Sequence, residues 1–409
     1  FYKCSGFYGS LVIPDSVKTI YDSCFEFCSG FNGTLTLSNQ ITTIGMNSFL
    51  RCSGFKGSLT IPNSCETIQH GAFSECSGFD GALTISNKVT SIGSYAFLLC
   101  SGLMGALTIP NTVGIIEEGC FAGCSGLTGS LTISNTAKSI GIDAFSGCSK
   151  LSGSLTIPNS VKSISENAFY RCSGFKGSLV LPSSITQIEK NTFYGCSGFS
   201  KALTIPNSVS LIYENAFFGC SGFTETLTIP ASVERIYKNA FKGCIGISGL
   251  TLPSTLSSIY EGAFAGCSGM KGSLTIPNAV KIVYKNSFSG CSGFTGLTIS
   301  NTAKTISDFA FSDCSGFSGT LTIPASVSTI GSYAFSGCRG FTGTLTIPST
   351  VTNLLECAFS GCTGFTGLSL PNTMKTIYMG CFSHCTGFQS LTIPNSVKTI
   401  GIEAFMGCS

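Results

Sequence analysis

The sequence predicts one solenoid of about 17 stacked repeats spanning residues 1–409, and three observations support this fold class. A cysteine recurs every 23 or 24 residues along the whole chain. Only 10% of the residues are charged, against about 25% in an ordinary soluble domain. Each repeat also carries apolar side chains that it cannot bury alone and that stacked repeats bury together. The recurring cysteines are Cys4, Cys28, Cys52, Cys76, Cys100, Cys124, Cys148, Cys172, Cys196, Cys220, Cys244, Cys267, Cys291, Cys314, Cys338, Cys362, Cys385 and Cys408.

The first element of each repeat is a short strand. In the repeat that begins at Gly153, Leu155 and Ile157 alternate with polar residues, which indicates a strand with one buried face. Proline has no N–H to donate to a sheet, so Pro158 is expected to end the strand. All 13 prolines of the chain occupy this position of the repeat.

The second element is a turn on the opposite side of the repeat. Val161 and Ile164 are followed by Ala168 and Phe169, and this spacing predicts one tight helical or 3₁₀ turn. The buried Cys172 then closes the repeat.

The 23 cysteines have three possible interpretations. Nearly all occupy positions where a small apolar residue belongs, which favours buried free thiols. Only Cys357 falls in a slot used by polar residues or glycine, so it is the candidate for an exposed thiol. Disulfides between neighbouring repeats remain open. No C-x-x-C pair occurs, which argues against a metal site.

A row of threonines follows the predicted strands. Threonine suits an exposed position of a sheet and stacks on itself, which explains the row without any function. The alternative interpretation is a flat, uncharged surface for a ligand, and ice is a third candidate because ice-binding solenoids carry ordered threonine arrays. The candidate ligand-binding residues are Thr156, Thr204, Thr228, Thr251, Thr275, Thr298 and Thr322.

Two further columns lie near the predicted turn. One alternates in charge, and such charges on neighbouring repeats attract one another, although each exposed pair contributes only about 0–1 kcal/mol. The other is a run of tyrosines, interpreted either as a self-stacking surface or as an interface patch. The charge ladder is Glu166, Lys190, Glu214, Lys238, Glu261, Lys285 and Asp308, and the tyrosine patch is Tyr213, Tyr237, Tyr260 and Tyr284.

Composition argues against several classes of function. The two histidines and the low charge supply no catalytic acid–base pair, no metal cluster and no cofactor site, so we expect a non-enzymatic chain without cofactors. A net charge of +3 predicts no nucleic-acid partner. No apolar run reaches the roughly 20 residues of a membrane-spanning helix, and no signal peptide is visible.

The repeat L-T-I-P-A-S-V-x-x-I-G-x-x-A-F-x-G-C-x-G, from Leu321 to Gly340, resembles the BspA-like (Treponema pallidum-type) leucine-rich repeats of microbial surface proteins. This resemblance implies a right-handed leucine-rich-repeat solenoid with parallel strands on its concave face and short helical turns on the convex side. It also implies exposure at the cell surface and attachment to host cells, matrix proteins or other microbes. The chain departs from the family in its predominantly 24-residue period and in lacking capping repeats.

The predicted function is therefore a cell-surface or extracellular adhesion scaffold whose Ser/Thr-rich concave face contacts a protein or a glycan. A different class of function is a structural protein whose copies assemble end to end into an extracellular filament. Near-identical repeats, the alternating charges and the absence of polar caps motivate this alternative. Equally, the residues 1–409 are interpreted as an excerpt of a longer chain whose caps lie elsewhere.

Overall fold

The computed structural model describes residues 1–408, and Ser409, the last residue of the predicted solenoid, lies outside the described part. Two compact units are present, one comprising Phe1–Ser208 and the other beginning at Val209. Each unit is a parallel β-solenoid in which every coil corresponds to one sequence repeat. The predicted fold class is thus confirmed, whereas a single solenoid over the whole chain stays a prediction.

The predicted strands form the first of two strand rows in each unit, called here the Leu-Thr row. In the first unit it consists of Leu11–Val12 (β1), Leu35–Thr36 (β3), Leu59–Thr60 (β5), Leu83–Thr84 (β7), Leu107–Thr108 (β9), Leu131–Thr132 (β11), Leu155–Thr156 (β13) and Leu179–Val180 (β15). In the second unit it consists of Thr226–Thr228 (β18), Gly249–Thr251 (β20), Gly272–Thr275 (β22), Phe294–Thr298 (β24), Gly343–Thr346 (β27) and Phe365–Ser369 (β29).

A second row of strands, which the sequence did not predict, contains the next aliphatic residue of each coil and is called here the Thr-Ile row. This aliphatic residue is buried in every strand of the row except the last, where Ile400 is exposed. In the first unit it consists of Thr19–Ile20 (β2), Thr43–Ile44 (β4), Thr67–Ile68 (β6), Ser91–Ile92 (β8), Ile115–Ile116 (β10), Ser139–Ile140 (β12), Ser163–Ile164 (β14) and Gln187–Ile188 (β16). In the second unit it consists of Leu211–Ile212 (β17), Arg235–Ile236 (β19), Ser258–Ile259 (β21), Ile282–Val283 (β23), Thr305–Ile306 (β25), Thr329–Ile330 (β26), Asn353–Leu354 (β28), Thr376–Ile377 (β30) and Thr399–Ile400 (β31).

The two rows differ in how their strands pair. Strands of the Leu-Thr row pair in twos, β1 with β3, β5 with β7, β9 with β11 and β13 with β15 in the first unit. In the second unit the pairs are β18 with β20, β22 with β24 and β27 with β29. The Thr-Ile row is more continuous, and β17, β19, β21, β23, β25, β26 and β28 pair in succession. The continuous sheet therefore lies in the row that the sequence missed.

Equivalent residues of successive coils lie in register. Leu155 pairs with Leu179, and Ile140 pairs with Ile164. These side chains are buried, so each coil adds its aliphatic residues to a continuous core.

Stacked phenylalanine rings form the centre of this core. In the first unit the ring centroids of neighbouring coils lie between 5.1 Å apart, for Phe1 and Phe25, and 5.7 Å apart, for Phe121 and Phe145. The ring planes of each of these two pairs differ by only 4°. In the second unit Phe264 continues the same kind of column. Most coils bury a phenylalanine of this column, and the burial of so many large apolar side chains stabilises the stack of coils.

The predicted helical or 3₁₀ turn is wrong, because residues 1–408 contain no helix and the segment consists of successive β-turns. Every second N–H of the segment donates to the next coil instead of donating within its own coil. Asn47 and Arg51 also have φ angles of 52° and 59°, which a right-handed helix excludes. The bonds to the next coil are Asn47 N–H to His70 O (2.9 Å), Phe49 N–H to Ala72 O (2.8 Å) and Arg51 N–H to Ser74 O (2.8 Å).

All 23 cysteines are free thiols, and most are buried. Most ladder thiols donate a hydrogen bond to the phenylalanine carbonyl of the preceding coil. Cys148 Sγ lies 3.2 Å from Phe121 O, and Cys291 Sγ lies 3.0 Å from Phe264 O. The cysteine thus acts as a small apolar residue that also carries a donor for a buried carbonyl.

Cysteines at the margins of the core are less buried. Cys357, the predicted exposed thiol, is half-buried, and its Sγ lies 3.8 Å from Met379 O. Cys4, Cys24 and Cys408 are half-buried as well, although the sequence places them in core positions. Cys357 is therefore one of several partly accessible thiols.

Candidate functional site

The predicted threonine row lies on the surface of the Leu-Thr row of strands. Because successive side chains of a strand point to opposite faces, each threonine is exposed while the leucine before it faces inward, half-buried at Leu250 and Leu297 and buried at the other predicted positions. All seven predicted residues are exposed. Thr228 pairs with Thr251 and Thr275 pairs with Thr298, whereas Thr156 pairs with Val180. Thr204 and Thr322 lie in extended segments outside the described strands.

Hydroxyl groups two residues before the exposed position of the strand bond to one another in the first unit. Ser178 Oγ lies 3.3 Å from Ser154 Oγ, and Thr34 Oγ1 lies 3.2 Å from Ser10 Oγ. These hydroxyls connect neighbouring coils. The threonines of the predicted row therefore differ from them in presenting their hydroxyls to solvent.

The predicted charge ladder is exposed or half-exposed throughout. Lys238 Nζ lies 3.1 Å from Glu261 Oε2. Within each unit as described, no other neighbouring pair of the ladder approaches within ion-pair distance. The structure thus brings together two of the seven predicted charges, and the ladder contributes little to holding the coils together.

The predicted tyrosine patch is a stack of rings. Tyr213 and Tyr237 lie 5.0 Å apart between ring centroids, and Tyr260 and Tyr284 lie 5.1 Å apart. Tyr237 and Tyr260 complete the stack at 5.0 Å. Because the ring faces contact one another, mainly ring edges and hydroxyl groups remain accessible at the surface.

A groove of about 630 Å³ lies along the β-turns of the second unit. Lys238, Glu261 and Lys242 line it, and the Lys242 ammonium lies 5.8 Å from the centroid of the Phe218 ring. The groove therefore contains one ion pair and a cation held over an aromatic face.

A smaller groove, which the sequence did not predict, lies beside the threonine row of the second unit and has a volume of about 340 Å³. It contains Thr275 and Thr298, two of the predicted residues. Asn278 and Asn301 follow these threonines by three residues and also line the groove. The signal that could have found them is the column of asparagines just after the proline position.

Burial raises the pKa of several titratable groups in the described part of the chain. Burial raises the pKa of the ladder thiols, for example that of Cys148 to about 12, which is the opposite of what an activated nucleophile needs. Burial also raises the pKa of Asp143, and hydrogen bonds from Ser146 and Asn167 partly oppose the shift. Residues 1–408 contain no cluster of three or more His, Cys, Asp or Glu side chains suited to a metal ion. A search of the same residues finds no helix able to span a membrane.

Comparison with known structures identifies similar bacterial proteins. A leucine-rich repeat protein from Bacteroides ovatus ATCC 8483 is 24% identical, with 86% of this chain and 84% of that chain covered and a TM-score of 0.57. A leucine-rich cell surface protein from Faecalibacterium prausnitzii A2-165 is 20% identical, covering 97% and 87% of the two chains, with a TM-score of 0.41. The T. pallidum leucine-rich repeat protein is 29% identical over 40% of this chain and 77% of that chain, with a TM-score of 0.37.

The sequence also matches the family described as BspA type leucine rich repeat region (6 copies) over residues 1–128, 125–248, 223–342 and 317–409. No curated protein matches the chain significantly. Since the family matches extend over the whole sequence, and the coils have the predicted register, the chain belongs to the BspA-type leucine-rich-repeat family.

Proposed function

We propose that the chain is a non-enzymatic binding scaffold of the cell surface or extracellular space, which attaches to a protein or a glycan through its threonine row. The observation that carries this proposal is that all seven threonines are exposed, among them Thr228 and Thr251, which pair directly on neighbouring strands of the Leu-Thr row. The coils beneath them are held by buried phenylalanine, leucine and cysteine side chains, so the hydroxyl groups sit on a rigid support.

Rigidity matters because each hydroxyl contact is weak. A net hydrogen bond contributes about 0.5–1.5 kcal/mol, and binding costs the ordering of every group that was mobile before. A row of threonines, whose side chains have few rotamers and lie on fixed strands, loses little freedom when a ligand binds. Many such contacts can therefore add up to useful affinity.

The test changes the surface of the row without touching the core. In the double variant Thr228→Arg/Thr251→Arg, two bulky charged side chains cover paired positions of the row. We expect attachment of beads coated with the purified chain to epithelial cells and to immobilised matrix glycoproteins to fall at least about tenfold. The control is Ser257→Arg/Thr352→Arg, which adds the same charge at exposed positions beside the Thr-Ile row.

Equal loss of attachment in the two double variants would contradict a role of the threonine row. Attachment that remains unchanged in Thr228→Arg/Thr251→Arg would also contradict it. Circular dichroism of each variant shows whether its coils remain folded.

The alternative class, a structural filament, predicts a different outcome. Electron microscopy of the purified chain would then show end-to-end polymers, whereas the binding scaffold predicts discrete particles. Thr228→Arg/Thr251→Arg would leave such polymers intact, because stacking between copies would use the core columns and not the surface row.

A further inference from the structure

The smaller groove beside the threonine row has a polar rim. It crosses three successive coils of the second unit and has a volume of about 340 Å³. Its rim is uncharged, and every polar side chain in it is exposed. The rim residues are Ser254, Thr275, Asn278, Thr298 and Asn301.

The floor of the groove is apolar. Ile276 and Ile299 are 2% and 4% exposed, and they form the floor together with Leu252. Leu252 is half-buried, whereas the isoleucines at the equivalent position of the next two coils are buried. The groove thus has an apolar floor below a rim of hydroxyl and amide groups. A sugar ring is complementary to this arrangement, because its face is apolar and its edge carries hydroxyl groups.

The polar groups of the rim have free hydrogen-bonding capacity. Within residues 1–408, the hydroxyls of Ser254, Thr275 and Thr298 donate to no protein group. Asn278 Oδ1 accepts the N–H of Asn301 at 3.3 Å, which fixes this side chain and leaves its NH₂ group available. The rim therefore contrasts with Ser154 and Ser178 of the first unit, whose hydroxyls bond to each other.

The absence of charge in the lining selects a neutral ligand. The rim residues include no cation. The free energy of hydration that a phosphate, a sulfated sugar or an acidic peptide loses on binding would therefore not be compensated. A ligand with many hydroxyl groups finds donors and acceptors instead, since threonine and serine do both and the asparagine side chain offers an amide.

The spacing of the rim points to a polymer. Thr275 pairs directly with Thr298, so their hydroxyls repeat at the strand spacing of about 4.8 Å. In a straight β-1,4-linked glycan each sugar advances the chain by nearly the same distance. An α-1,4-linked glycan of the same composition coils and loses this match.

We propose that this groove binds a neutral, straight β-1,4-linked glycan that runs along the solenoid, with one sugar facing each coil. This inference rests on the proposed function and narrows it to one class of ligand at one place on the threonine row. The groove then positions the glycan, while the rest of the row extends the contact.

The test compares two isomers by isothermal titration calorimetry. Cellohexaose is the straight β-1,4-linked hexamer of glucose, and maltohexaose is its α-1,4-linked isomer. We expect cellohexaose to bind at least about tenfold more tightly, and the affinity to rise from cellobiose to cellotetraose as more coils are engaged. Thr298→Arg, which fills the groove, should weaken cellohexaose binding at least about tenfold, whereas Thr132→Arg at the equivalent position of the first unit should not.

Equal affinity for the two hexamers, or equal loss in the two variants, would overturn the proposal. So would a complete lack of binding to cellohexaose. If attachment to cells still depended on Thr228 and Thr251 in that case, the glycan proposal would fail while the proposed function stood. Circular dichroism on Thr298→Arg separates loss of the groove from loss of the fold.

Discussion

The two units of the chain have the same core but different coil lengths. From Cys4 to Cys196 every cysteine step of the first unit is 24 residues, whereas the second unit mixes steps of 23 and 24 residues. The Leu-Thr strands of the first unit have two residues each, while β24 and β29 of the second unit have five. Both five-residue strands lie in 23-residue coils.

The missing residue accompanies the longer strand in these two coils, although the 23-residue coil that begins at Cys244 has only a three-residue strand, β20. In the short coil, Phe294 is the first residue of β24 and pairs with Gly272, and Gly296 pairs with Ser273. In the preceding 24-residue coil, Gly272 has a φ angle of 81°, so the chain makes a left-handed bend before its leucine. The pairing shifts register at this point, between Gly272 and Ser273.

The core columns do not change with coil length. The rings of Phe264 and Phe288 lie 5.5 Å apart and those of Phe288 and Phe311 lie 5.8 Å apart, although the second pair is separated by one residue fewer. The comparison teaches that stacking of the core sets the register, and that the segment between phenylalanine and leucine absorbs differences in length.

The largest expected effect concerns the cysteine ladder, which both units share. Burial raises the pKa of Cys148 in the first unit and of Cys267 in the second unit to about 12. The unfolded chain loses these protons near pH 8.5–9, so the thiols contribute full stability below that range and lose it progressively toward pH 12. Between the pKa of the unfolded chain and that of the folded chain, each buried thiol lowers the free energy of unfolding by about 1.4 kcal/mol per pH unit. Urea midpoints measured from pH 7 to pH 10 should fall steeply for both units.

A flat pH profile of the urea midpoint between pH 8 and pH 10 would contradict buried thiols in the ladder. Cys148→Ala serves as the control, since removing one thiol should reduce the proton release on unfolding by about one proton at high pH.

The second effect concerns the position of an added residue in the short coil. A glycine inserted between Leu297 and Thr298 shifts the following residues by one, so that Ile299 loses its place in the core. We expect a loss of about 2–5 kcal/mol, as for removal of a large apolar side chain from a core. Urea unfolding followed by circular dichroism measures the change.

The matched control inserts a glycine between Phe294 and Thr295, which restores a 24-residue coil. Its expected cost is below about 1 kcal/mol, because the left-handed bend of the long coils accommodates the residue. Equal losses from the two insertions would show that the segment before the leucine is as constrained as the strand.

Much of this fold is local and therefore visible in the sequence. The Leu-Thr strands, the phenylalanine column and the cysteine column follow from apolar residues that recur at one period, as Leu155, Phe169 and Cys172 illustrate. The turn segment was misread as helical because the spacing of Ala168 and Phe169 also suits a helix. What decides against a helix is the hydrogen bonding to the next coil, and this depends on neighbours 23 residues away.

The site was less predictable for the same reason. Exposure of Thr275 and Thr298 follows from alternation along the strand, and the sequence predicted both. The groove that joins them to Asn278 and Asn301 depends on how three coils of unequal length lie side by side. The Thr-Ile row was missed because a two-residue strand such as Thr305–Ile306 is too short to show alternation.

A smaller effect tests whether the thiol–carbonyl bond is the same in both units. Cys148→Ala and Cys291→Ala each remove a buried sulfur and its hydrogen bond to a phenylalanine carbonyl. We expect each to lower the free energy of unfolding by about 1–3 kcal/mol, because a buried carbonyl loses a partner and a small cavity forms. Cys357→Ala, at a half-buried thiol, is the control and should cost under about 0.5 kcal/mol. A clear difference between the losses in free energy of unfolding for Cys148→Ala and Cys291→Ala would mean that coil length affects packing in the core.

The smallest effect concerns the two ion pairs, one in each unit. Lys238 and Glu261 lie 3.1 Å apart with half-exposed side chains, so Lys238→Ala should cost less than about 0.5 kcal/mol and nothing measurable at high salt. Arg51 Nε lies 2.8 Å from Glu75 Oε2. The Arg51 guanidinium also lies over the Phe27 ring, with its Cζ 5.3 Å from the ring centroid. Arg51→Ala should therefore cost up to about 1 kcal/mol, and part of that loss should persist at high salt because contact with the ring does not depend on screening. Urea midpoints at low and high salt distinguish the two, and equal salt dependence would mean that the ring contact contributes nothing.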